Sequence, residues 1–371
     1  MIQTEAFYEA LIARKMDLFA GVPDSLLKNL CSCITLRSGT ERNIITANEG
    51  NAIGIACGYH VSSGHYGVVY MQNSGLGNTV NPLLSLADRA IYKIPMLLII
   101  GWRGEPGVKD EPQHVTQGRV TPALLDAMEI KYEILEDDFL PQLDRAAAYM
   151  AEEAQPFALI VRKNTFDSFA FKAEKVELPL SREEALDTIL QPLTDRDFIV
   201  STTGKTSREL FELREAKGQG HSNDFLTVGG MGHTSSIALG MAIGSEQDIF
   251  CIDGDGSFLM HMGAFAVTGQ TAPDNFKYIL INNGAHESVG GQPTVAFSIR
   301  PEEVLTACGF EKVITARSRE EILAGMEELR RGGKRALIVL TRQGSRDDLG
   351  RPTVSPSQNK TDMMERFAAL R

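Results

Sequence analysis

Short apolar segments alternate with longer segments of helical period along most of the chain. A short apolar run bounded by turn residues is typical of a strand buried on both faces of a parallel sheet. The strands predicted on this basis are residues 44–46, 67–71, 95–100, 157–161, 197–201, 225–228, 249–252, 278–281 and 336–340. Their alternation with helical segments predicts an α/β fold with parallel sheets.

A polar stretch near the middle of the chain separates two similar sets of elements. Residues 171–184 are rich in charge, contain a Leu-Pro-Leu segment and show no sustained periodicity, which indicates a connector between domains. We therefore predict a doubly wound α/β domain over residues 1–170, a linker over 171–184 and a second doubly wound α/β domain over 185–371. We also predict a helix over residues 1–17 and a polar loop or arm over 341–360, before a last short helix.

Composition and charge exclude several classes of protein. The 371 residues are 43% apolar and 23% charged, values that exclude a disordered chain. The net charge of −11 provides no general positive field for nucleic acid or an anionic membrane, so an anionic ligand needs a local site. The odd number of cysteines argues against a secreted disulfide framework, and we interpret the Cys31-x-Cys33 pair as structural. With no apolar run long enough to span a bilayer, we expect a cytoplasmic protein.

Polar, glycine-rich motifs directly follow five of the predicted strands. In parallel α/β domains, ligands bind at the carboxyl ends of the strands, so these motifs are the first candidates for chemistry. They are Ala-Asn-Glu-Gly-Asn at 47–51, Gln-Asn-Ser-Gly-Leu-Gly-Asn at 72–78, Gly-Gly-Met-Gly-His-Thr at 229–234, Asp-Gly-Asp-Gly-Ser at 253–257 and Asn-Asn-Gly-Ala-His at 282–286.

The strongest chemical signal is the combination of the last two motifs, which are separated by one predicted helix and one predicted strand. Asp255 and an Asn side chain supply the carboxylate and amide oxygens that Mg²⁺ prefers together with ligand phosphates. The glycines beside Asp255 let backbone N–H groups approach an anion, and a helix beginning at Ser257 would direct its positive end there. Either motif alone is more often a turn, but together they predict a metal–diphosphate site.

This arrangement resembles the signature of thiamine diphosphate (ThDP)-dependent enzymes, and the resemblance covers essentially the whole chain. It implies an N-terminal pyrimidine-binding domain and a C-terminal diphosphate-binding domain. It also implies three Mg²⁺ ligands, namely the side chains of Asp255 and Asn283 and the backbone carbonyl of Ala285. Glu49 matches the catalytic glutamate that hydrogen-bonds N1′ of the cofactor's aminopyrimidine and favours its imino tautomer.

Further residues are implied as cofactor contacts. Met231 matches the bulky apolar residue that holds the cofactor in its bent form, and the carbonyl of Gly229 would accept a hydrogen bond from the 4′-amino group. The other implied cofactor contacts are His233, Gly254, Gly256 and Ser257. Alone, Glu49 is more often a favourable acid in the first turn of a helix, and Met231 is more often a core residue. Their joint placement with the metal motif favours the functional interpretation of both.

The length of the chain and three local segments point to one subgroup of this family. A chain of 371 residues has no room for the central domain of the longer ThDP decarboxylases, and it resembles the short two-domain enzymes that decarboxylate 3-phosphonopyruvate or sulfopyruvate. Residues 21–25, 104–114 and 348–352 favour the phosphonate-acting group. The alternatives are sulfopyruvate decarboxylation and a silent ThDP-binding regulatory protein, against which the intact Glu49 argues.

Polar residues of these segments are the candidates for the chemistry of the substrate. The resemblance implies that Asp24, Ser25 and His114 face the reacting carbonyl, and His286 directly follows the metal loop. Asp24, His114 and His286 are therefore the candidates for proton transfer, and Ser25 is a substrate contact. His114 lies in a loop rich in Gly and Pro rather than on an apolar face, which favours a functional role over a structural one.

Cations near these residues are the candidates for binding the phosphonate. Lys109 and Arg119 flank the His114 loop, although residues of these types often lie on a solvated surface. Arg346 and Arg351 in the predicted C-terminal arm are alternatives. The sequence leaves the choice among these four cations open.

The resemblance also bears on partners and assembly. Glu49 and Asp255 lie in different predicted domains, and in this family the two residues meet across a subunit interface. We therefore expect a homodimer or a larger homo-oligomer. The other expected partner is a small anionic 2-oxo acid, with neither nucleic acid nor membrane.

Overall fold

Two parallel sheets organise the protein. The computed structural model describes residues 1–171 and 176–371. The chain divides into two compact units, Met1–Ala173 with Ser288–Gln292 and Glu174–Glu287 with Pro293–Arg371. Each unit contains a six-stranded sheet in which all neighbouring strands are parallel, with helices between successive strands. The predicted α/β fold with two doubly wound parallel sheets is confirmed.

The sheet of the first unit has the strand order β2-β1-β3-β4-β6-β5. Its strands are β1 Met16–Gly21, β2 Asn43–Ile45, β3 Tyr66–Gln72, β4 Met96–Gly101, β5 Lys131–Ile134 and β6 Phe157–Val161. Its helices are α1 Thr4–Ala13, α2 Lys28–Arg42, α3 Glu49–Ser63, α4 Leu76–Pro82, α5 Pro112–Ala127 and α6 Leu140–Glu153, with single turns at Asn73–Gly75 and Leu83–Ala87.

The sheet of the second unit has the strand order β13-β14-β10-β9-β7-β8. Its strands are β7 Phe198–Ser201, β8 Asp224–Leu226, β9 Ile249–Gly254, β10 Phe276–Asn282, β13 Lys312–Ala316 and β14 Arg335–Leu340. Its helices are α7 Arg182–Leu190, α8 Lys205–Ala216, α9 Thr234–Ile243, α10 Asp255–Met260, α11 Ala264–Thr271, α12 Pro301–Ala307, α13 Arg319–Leu329 and α14 Pro356–Ala369. Two short strands, β11 Ala285–His286 and β12 Gln292–Pro293, follow β10.

An apolar layer covers each face of each sheet. In β3, Val68 and Tyr70 belong to the cluster on one face, whereas Val69 and Met71 belong to the cluster on the other. The same alternation places successive residues of β10 in different clusters of the second unit. Because both faces are covered, the central strands are almost continuously apolar, which is the pattern that made them predictable.

Three strands of the two six-stranded sheets, β1, β5 and β13, escaped the sequence analysis, as did the short β11 and β12, and several boundaries were wrong. The predicted N-terminal helix ends at Ala13, because the chain turns through a left-handed Lys15 into β1. The other two missed strands of these sheets, β5 and β13, lie at sheet edges. Each pairs with only one neighbouring strand and contains only a short apolar run. Helix α14 begins at Pro356, so the end of the predicted polar arm is helical.

The boundary between the predicted domains stays a prediction. Residues 172–175 of the predicted linker lie outside the described residues. Helix α7 begins at Arg182, within the predicted linker, because Ser181 and Glu184 form a capping box at its first turn. All five cysteines are free, and Cys31 and Cys33 are buried in α2. Among the described residues, no helix has the length and apolar character needed to cross a membrane.

Candidate active site

Glu49 is fixed at the start of α3, directly beyond β2. The side chain of Asn48 caps this helix by accepting a hydrogen bond from the N–H of Gly50 at 2.8 Å. The Glu49 carboxylate is 5% exposed, and its Oε2 accepts a hydrogen bond from Asn78 Nδ2 at 2.8 Å. A Cβ atom at Gly75 would lie 2.2 Å from Glu49 Oε1, so only glycine leaves room for this carboxylate. Residues from two of the predicted motifs thus hold one acid in a defined position.

Asp24 is a second buried acid in the same unit, just beyond β1. Its side chain is fully buried; Oδ2 accepts a hydrogen bond from the N–H of Leu26 at 3.0 Å, and Oδ1 has no hydrogen-bond partner. Burial raises the pKa of Asp24 to about 6, against the opposing effects of the Leu26 N–H and the charge of Arg103. A Cβ atom at Gly101 would lie 2.1 Å from Asp24 Oδ2, so the end of β4 must be glycine.

Arg103 is the cation whose charge acts on Asp24, and the sequence analysis missed it. Its Nη1 donates to Ser25 Oγ at 2.9 Å, while Nε and Nη2 donate to the two oxygens of Asp110 at 2.8 and 2.5 Å. The side chain of Asn73 binds both the carbonyl and the N–H of Arg103, at 2.8 and 3.2 Å. The available signal was position, because Arg103 follows the end of β4 by two residues and directly precedes residues 104–114.

His114 completes the polar cluster of the first unit. It is the third residue of α5, it is buried, and its Nδ1 has no hydrogen-bond partner. Burial and the nearby charge of Arg103 lower the pKa of His114 below its ordinary value, so the imidazole is neutral at pH 7. The structure therefore gathers Asp24, Ser25 and His114 around Arg103.

The four cations considered in the sequence analysis lie differently. Lys109 and Arg119 are exposed residues of the segment around His114. Arg346 forms ion pairs with Glu183, Glu212 and Asp348, so its charge is largely compensated within the second unit. Arg351 is also exposed. Arg103 contacts Ser25, a predicted substrate residue, through its Nη1.

The predicted metal ligands follow β9 and β10, which are adjacent strands of the second sheet. Asp255 is the first residue of α10, which therefore begins two residues earlier than predicted. Asp255 is buried, which raises its pKa to about 6, and its Oδ2 accepts a hydrogen bond from Thr294 Oγ1 at 2.5 Å. Asn283 Oδ1 accepts a hydrogen bond from the N–H of Ala285 at 3.2 Å.

The donor set fits a hard cation that is shared with a phosphate ligand. Asp255 and Asn283 present carboxylate and amide oxygens, and Ala285, the third implied ligand, is buried beside them. Within residues 1–171 and 176–371, no group of three or more His, Cys, Asp or Glu side chains is arranged to hold a metal ion. A single carboxylate with amide and carbonyl oxygens suits Mg²⁺ when diphosphate oxygens supply further ligands.

The two glycine-rich motifs of the second unit lie against one another. Ser257 Oγ accepts a hydrogen bond from the N–H of Gly232 at 3.1 Å. A Cβ atom at Gly256 would lie 3.2 Å from the ring of His286 and 3.3 Å from Met231 Cε, so a side chain there would crowd both. Burial lowers the pKa of His286 to about 4, which keeps this imidazole neutral. The structure thus brings together three of the predicted residues, Met231, Gly256 and His286.

The remaining predicted cofactor residues frame the same loops. Gly254 ends β9 and precedes α10, and Gly229 lies in the loop that leads from β8 to α9. The rings of His233 and His261 are in contact, with centroids 4.5 Å apart and planes tilted by 30°. The sequence analysis missed His261, whose buried Nε2 has no hydrogen-bond partner and whose pKa is lowered by burial and by His233.

Comparisons with known proteins agree with the geometry. The N-terminal TPP binding domain of thiamine pyrophosphate enzymes matches residues 1–130, and the C-terminal TPP binding domain matches residues 202–340. A phosphonopyruvate decarboxylase from Streptomyces viridochromogenes is 33% identical over 91% of this chain and 88% of its own. One from Streptomyces hygroscopicus is 32% identical over 96% of this chain and 92% of its own.

Other similarities are weaker. A sulfopyruvate decarboxylase from Methanosarcina acetivorans is 28% identical over 88% of this chain and 87% of its own. Among solved structures, a thiamine diphosphate-dependent 4-hydroxybenzoylformate decarboxylase from Rhodococcus jostii covers 92% of this chain and 99% of its own, with 12% identity and a TM-score of 0.37. The two matched TPP binding domains together span more than half of the chain. The chain therefore belongs to the thiamine pyrophosphate enzyme family, and its full-length curated relatives are decarboxylases.

Proposed function

We propose that the protein catalyses the non-oxidative decarboxylation of 3-phosphonopyruvate to phosphonoacetaldehyde and CO₂, with ThDP and Mg²⁺, as a step of phosphonate biosynthesis. The observation that carries this proposal is the similarity to two phosphonopyruvate decarboxylases over nine-tenths of the chain. Sulfopyruvate decarboxylation is the second candidate, supported by a relative of lower identity. The intact Glu49 with its fixed carboxylate argues against a silent ThDP-binding protein.

Unpartnered polar atoms in the first unit support a polar substrate at this cluster. Buried polar atoms in proteins nearly always have hydrogen-bond partners. Four buried atoms here have none, namely Asp24 Oδ1, Gln113 Oε1, His114 Nδ1 and Gln117 Oε1. Three of the four belong to the first turns of α5, and Asp24 and His114 both lie within the electrostatic influence of Arg103. This arrangement suits a substrate that carries oxygen atoms and negative charge.

The roles of the residues follow from their protonation and position. When bound, ThDP supplies the electron sink for the negative charge left by departing CO₂. Glu49 would hold a proton at N1′ of the cofactor, and Met231 would support the bent cofactor. Asp24, whose pKa of about 6 keeps part of its population protonated near neutral pH, would be suited to give a proton to the substrate carbon that loses CO₂. The neutral His114 and His286 are suited to accept or relay protons, because burial lowers the pKa of each.

Substrate and metal contacts complete the proposal. Ser25, held by Arg103, is assigned as a substrate contact, and the exposed Lys109 and Arg119 are assigned as further substrate contacts. Asp255, Asn283 and the carbonyl of Ala285 are assigned to Mg²⁺. The contacts with ThDP are assigned to Gly229, Met231, His233, Gly254, Gly256 and Ser257. Cytoplasmic location and assembly into a homodimer or larger homo-oligomer stay predictions from the sequence.

Release of CO₂ tests the proposed reaction directly. The purified protein is supplied with 3-phosphonopyruvate, sulfopyruvate or pyruvate, each with and without ThDP and Mg²⁺. We expect release only with both cofactors and the highest kcat/KM for 3-phosphonopyruvate, because a site that pairs a dianion leaves its own groups unpaired when pyruvate binds. A higher kcat/KM for sulfopyruvate would select the second candidate. Equal values for pyruvate and 3-phosphonopyruvate would overturn the substrate assignment and leave the cofactor assignment intact.

A further inference from the structure

Glu287 lies at the end of the predicted metal loop, and none of the sequence motifs singled it out. Its Oε2 accepts hydrogen bonds from Asn283 Nδ2 at 2.9 Å and from Arg182 Nη1 at 2.7 Å. Its Oε1 accepts a hydrogen bond from the N–H of Gly344 at 2.8 Å, and Lys205 Nζ lies 3.8 Å from the same oxygen. One carboxylate therefore contacts the metal loop, α7, α8 and the segment that follows β14.

Two contacts, one with Glu287 and one with the N–H of Ala285, determine which way the amide of Asn283 faces. Both oxygens of Glu287 act as acceptors in these contacts, and the NH₂ group of Asn283 faces Glu287. The amide oxygen then faces the opposite side, where it accepts the N–H of Ala285 and keeps a second lone pair for a cation. If Glu287 were an amide, Asn283 could pair with it in either orientation, because each amide carries both a donor and an acceptor.

Arg182 holds Glu287 in place. Arg182 is 6% exposed, and its Nε and Nη2 each donate to Glu209 at 2.7 Å. This bidentate ion pair fixes the guanidinium. Its remaining terminal nitrogen, Nη1, donates to Glu287. Lys205 adds a second positive charge and also donates to Ser345 Oγ at 2.6 Å. The two carboxylates therefore face two cations, which compensates their buried charge.

We propose that Glu287, anchored by Arg182, is a positioning residue for the Mg²⁺ site. It holds the oxygen of Asn283 toward the ion, and through Gly344 it connects the segment after β14 to the metal loop. This inference rests on the assignment of Asp255 and Asn283 to Mg²⁺. Residues that orient metal ligands change metal affinity by about 10- to 100-fold when they are replaced. The same range is expected here.

Binding of Mn²⁺ in place of Mg²⁺ tests the inference without reference to catalysis. Free Mn²⁺ is followed by electron paramagnetic resonance as it is titrated into the full chain in the presence of ThDP. We expect the Kd for Mn²⁺ to rise by about 10- to 100-fold in Glu287→Gln, because the carboxylate that orients Asn283 is lost. Glu287→Asp keeps the charge but is one methylene shorter, so it cannot span Asn283 and Arg182 together. Its Kd should therefore also rise, and it provides a second folded variant if Glu287→Gln does not fold.

A matched control separates positioning from general stability. Asp224 and Arg214 form a buried two-pronged pair in the same unit, with both nitrogen–oxygen distances 2.8 Å. Asp224→Asn should lower the melting temperature and leave the Kd for Mn²⁺ unchanged while the protein is folded. An equal rise of Kd in Asp224→Asn, or an unchanged Kd in Glu287→Gln, would overturn the inference. Asp255→Ala should abolish binding, and wild-type affinity in that variant would instead overturn the metal site itself.

Discussion

Replacement of Asp24 by Asn should raise the stability of the protein while it removes activity. The Asp24 carboxyl is fully buried, one of its oxygens has no hydrogen-bond partner, and burial raises its pKa from 3.8 to about 6. Above pH 6 the folded protein must keep this carboxylate ionised away from water, whereas the unfolded chain ionises it in water. Asp24→Asn removes the charge with little change of volume, and it also removes the proposed proton donor.

The change in pKa sets the size of the effect. Each pKa unit corresponds to about 1.36 kcal/mol, so a pKa raised from 3.8 to about 6 costs the folded protein about 3 kcal/mol at pH 8. Because the folded-state pKa is the higher one, this cost is absent below about pH 4 and complete above about pH 6. From pH 8 to pH 5, proton linkage should therefore raise the free energy of unfolding of the wild type by about 1.4 kcal/mol. The advantage of Asp24→Asn should therefore fall to about half over this range.

Urea denaturation at pH 8 and pH 5 measures this difference. Asp110→Asn is the control from the same cluster with the opposite sign. Although burial raises the pKa of Asp110, hydrogen bonds from Arg103 and from backbone N–H groups lower it below the usual value, so Asp110→Asn should lose stability at pH 8. The reasoning would be refuted if Asp24→Asn were no more stable than wild type at pH 8. It would also be refuted if the stability difference between Asp24→Asn and wild type were the same at pH 8 and pH 5.

Four further changes test the site. Glu49→Gln should slow exchange of the C2 proton of bound ThDP by orders of magnitude, measured by NMR, with little change in ThDP affinity; wild-type exchange would remove Glu49 from the mechanism. Asp255→Ala should abolish retention of ThDP on gel filtration while circular dichroism stays native, and retained ThDP would contradict its role as a metal ligand. Gly101→Ala places a methyl group 2.1 Å from the Asp24 carboxylate, so the melting temperature should fall by several degrees. An unchanged melting temperature would show that the segment around Asp24 moves to accommodate the methyl group. Arg103→Met should raise the KM for 3-phosphonopyruvate at least about tenfold, and by more than Lys109→Met does. A larger effect of Lys109→Met would instead indicate that Lys109 binds the phosphonate.

The sequence predicted the interior strands of both sheets except β1, and it missed the edge strands β5 and β13. Strand β6 was predicted with its observed ends, because both of its faces are covered and its residues are continuously apolar. Strands β5 and β13 carry polar and half-exposed residues, since each lies at the edge of its sheet. Their pairing is determined by tertiary position rather than by a local pattern.

The candidate site likewise contains residues that a local sequence pattern predicts and residues that it does not. The motifs around Glu49, Asp255 and Asn283 could be recognised because glycine and acidic residues follow strands at short, regular spacing. Arg103 and Glu287 could not, because what distinguishes them is a contact with a residue far away in the chain. Arg103 binds Ser25 across 78 positions, and Glu287 binds Arg182 across 105. The spacing of residues along the sequence does not predict such long-range contacts.

The two clusters of candidate residues have no residue in common, and each is contained in one unit. The cluster around Arg103 belongs to the first unit, and the cluster around Asp255 belongs to the second. A laboratory-evolution library aimed at new 2-oxo acids can therefore be restricted to codons 20–30 and 100–120, leaving the proposed ion-binding loop untouched. A separate library over 280–290 can select for a different divalent cation. Winners from the two libraries can be recombined by a single crossover between them.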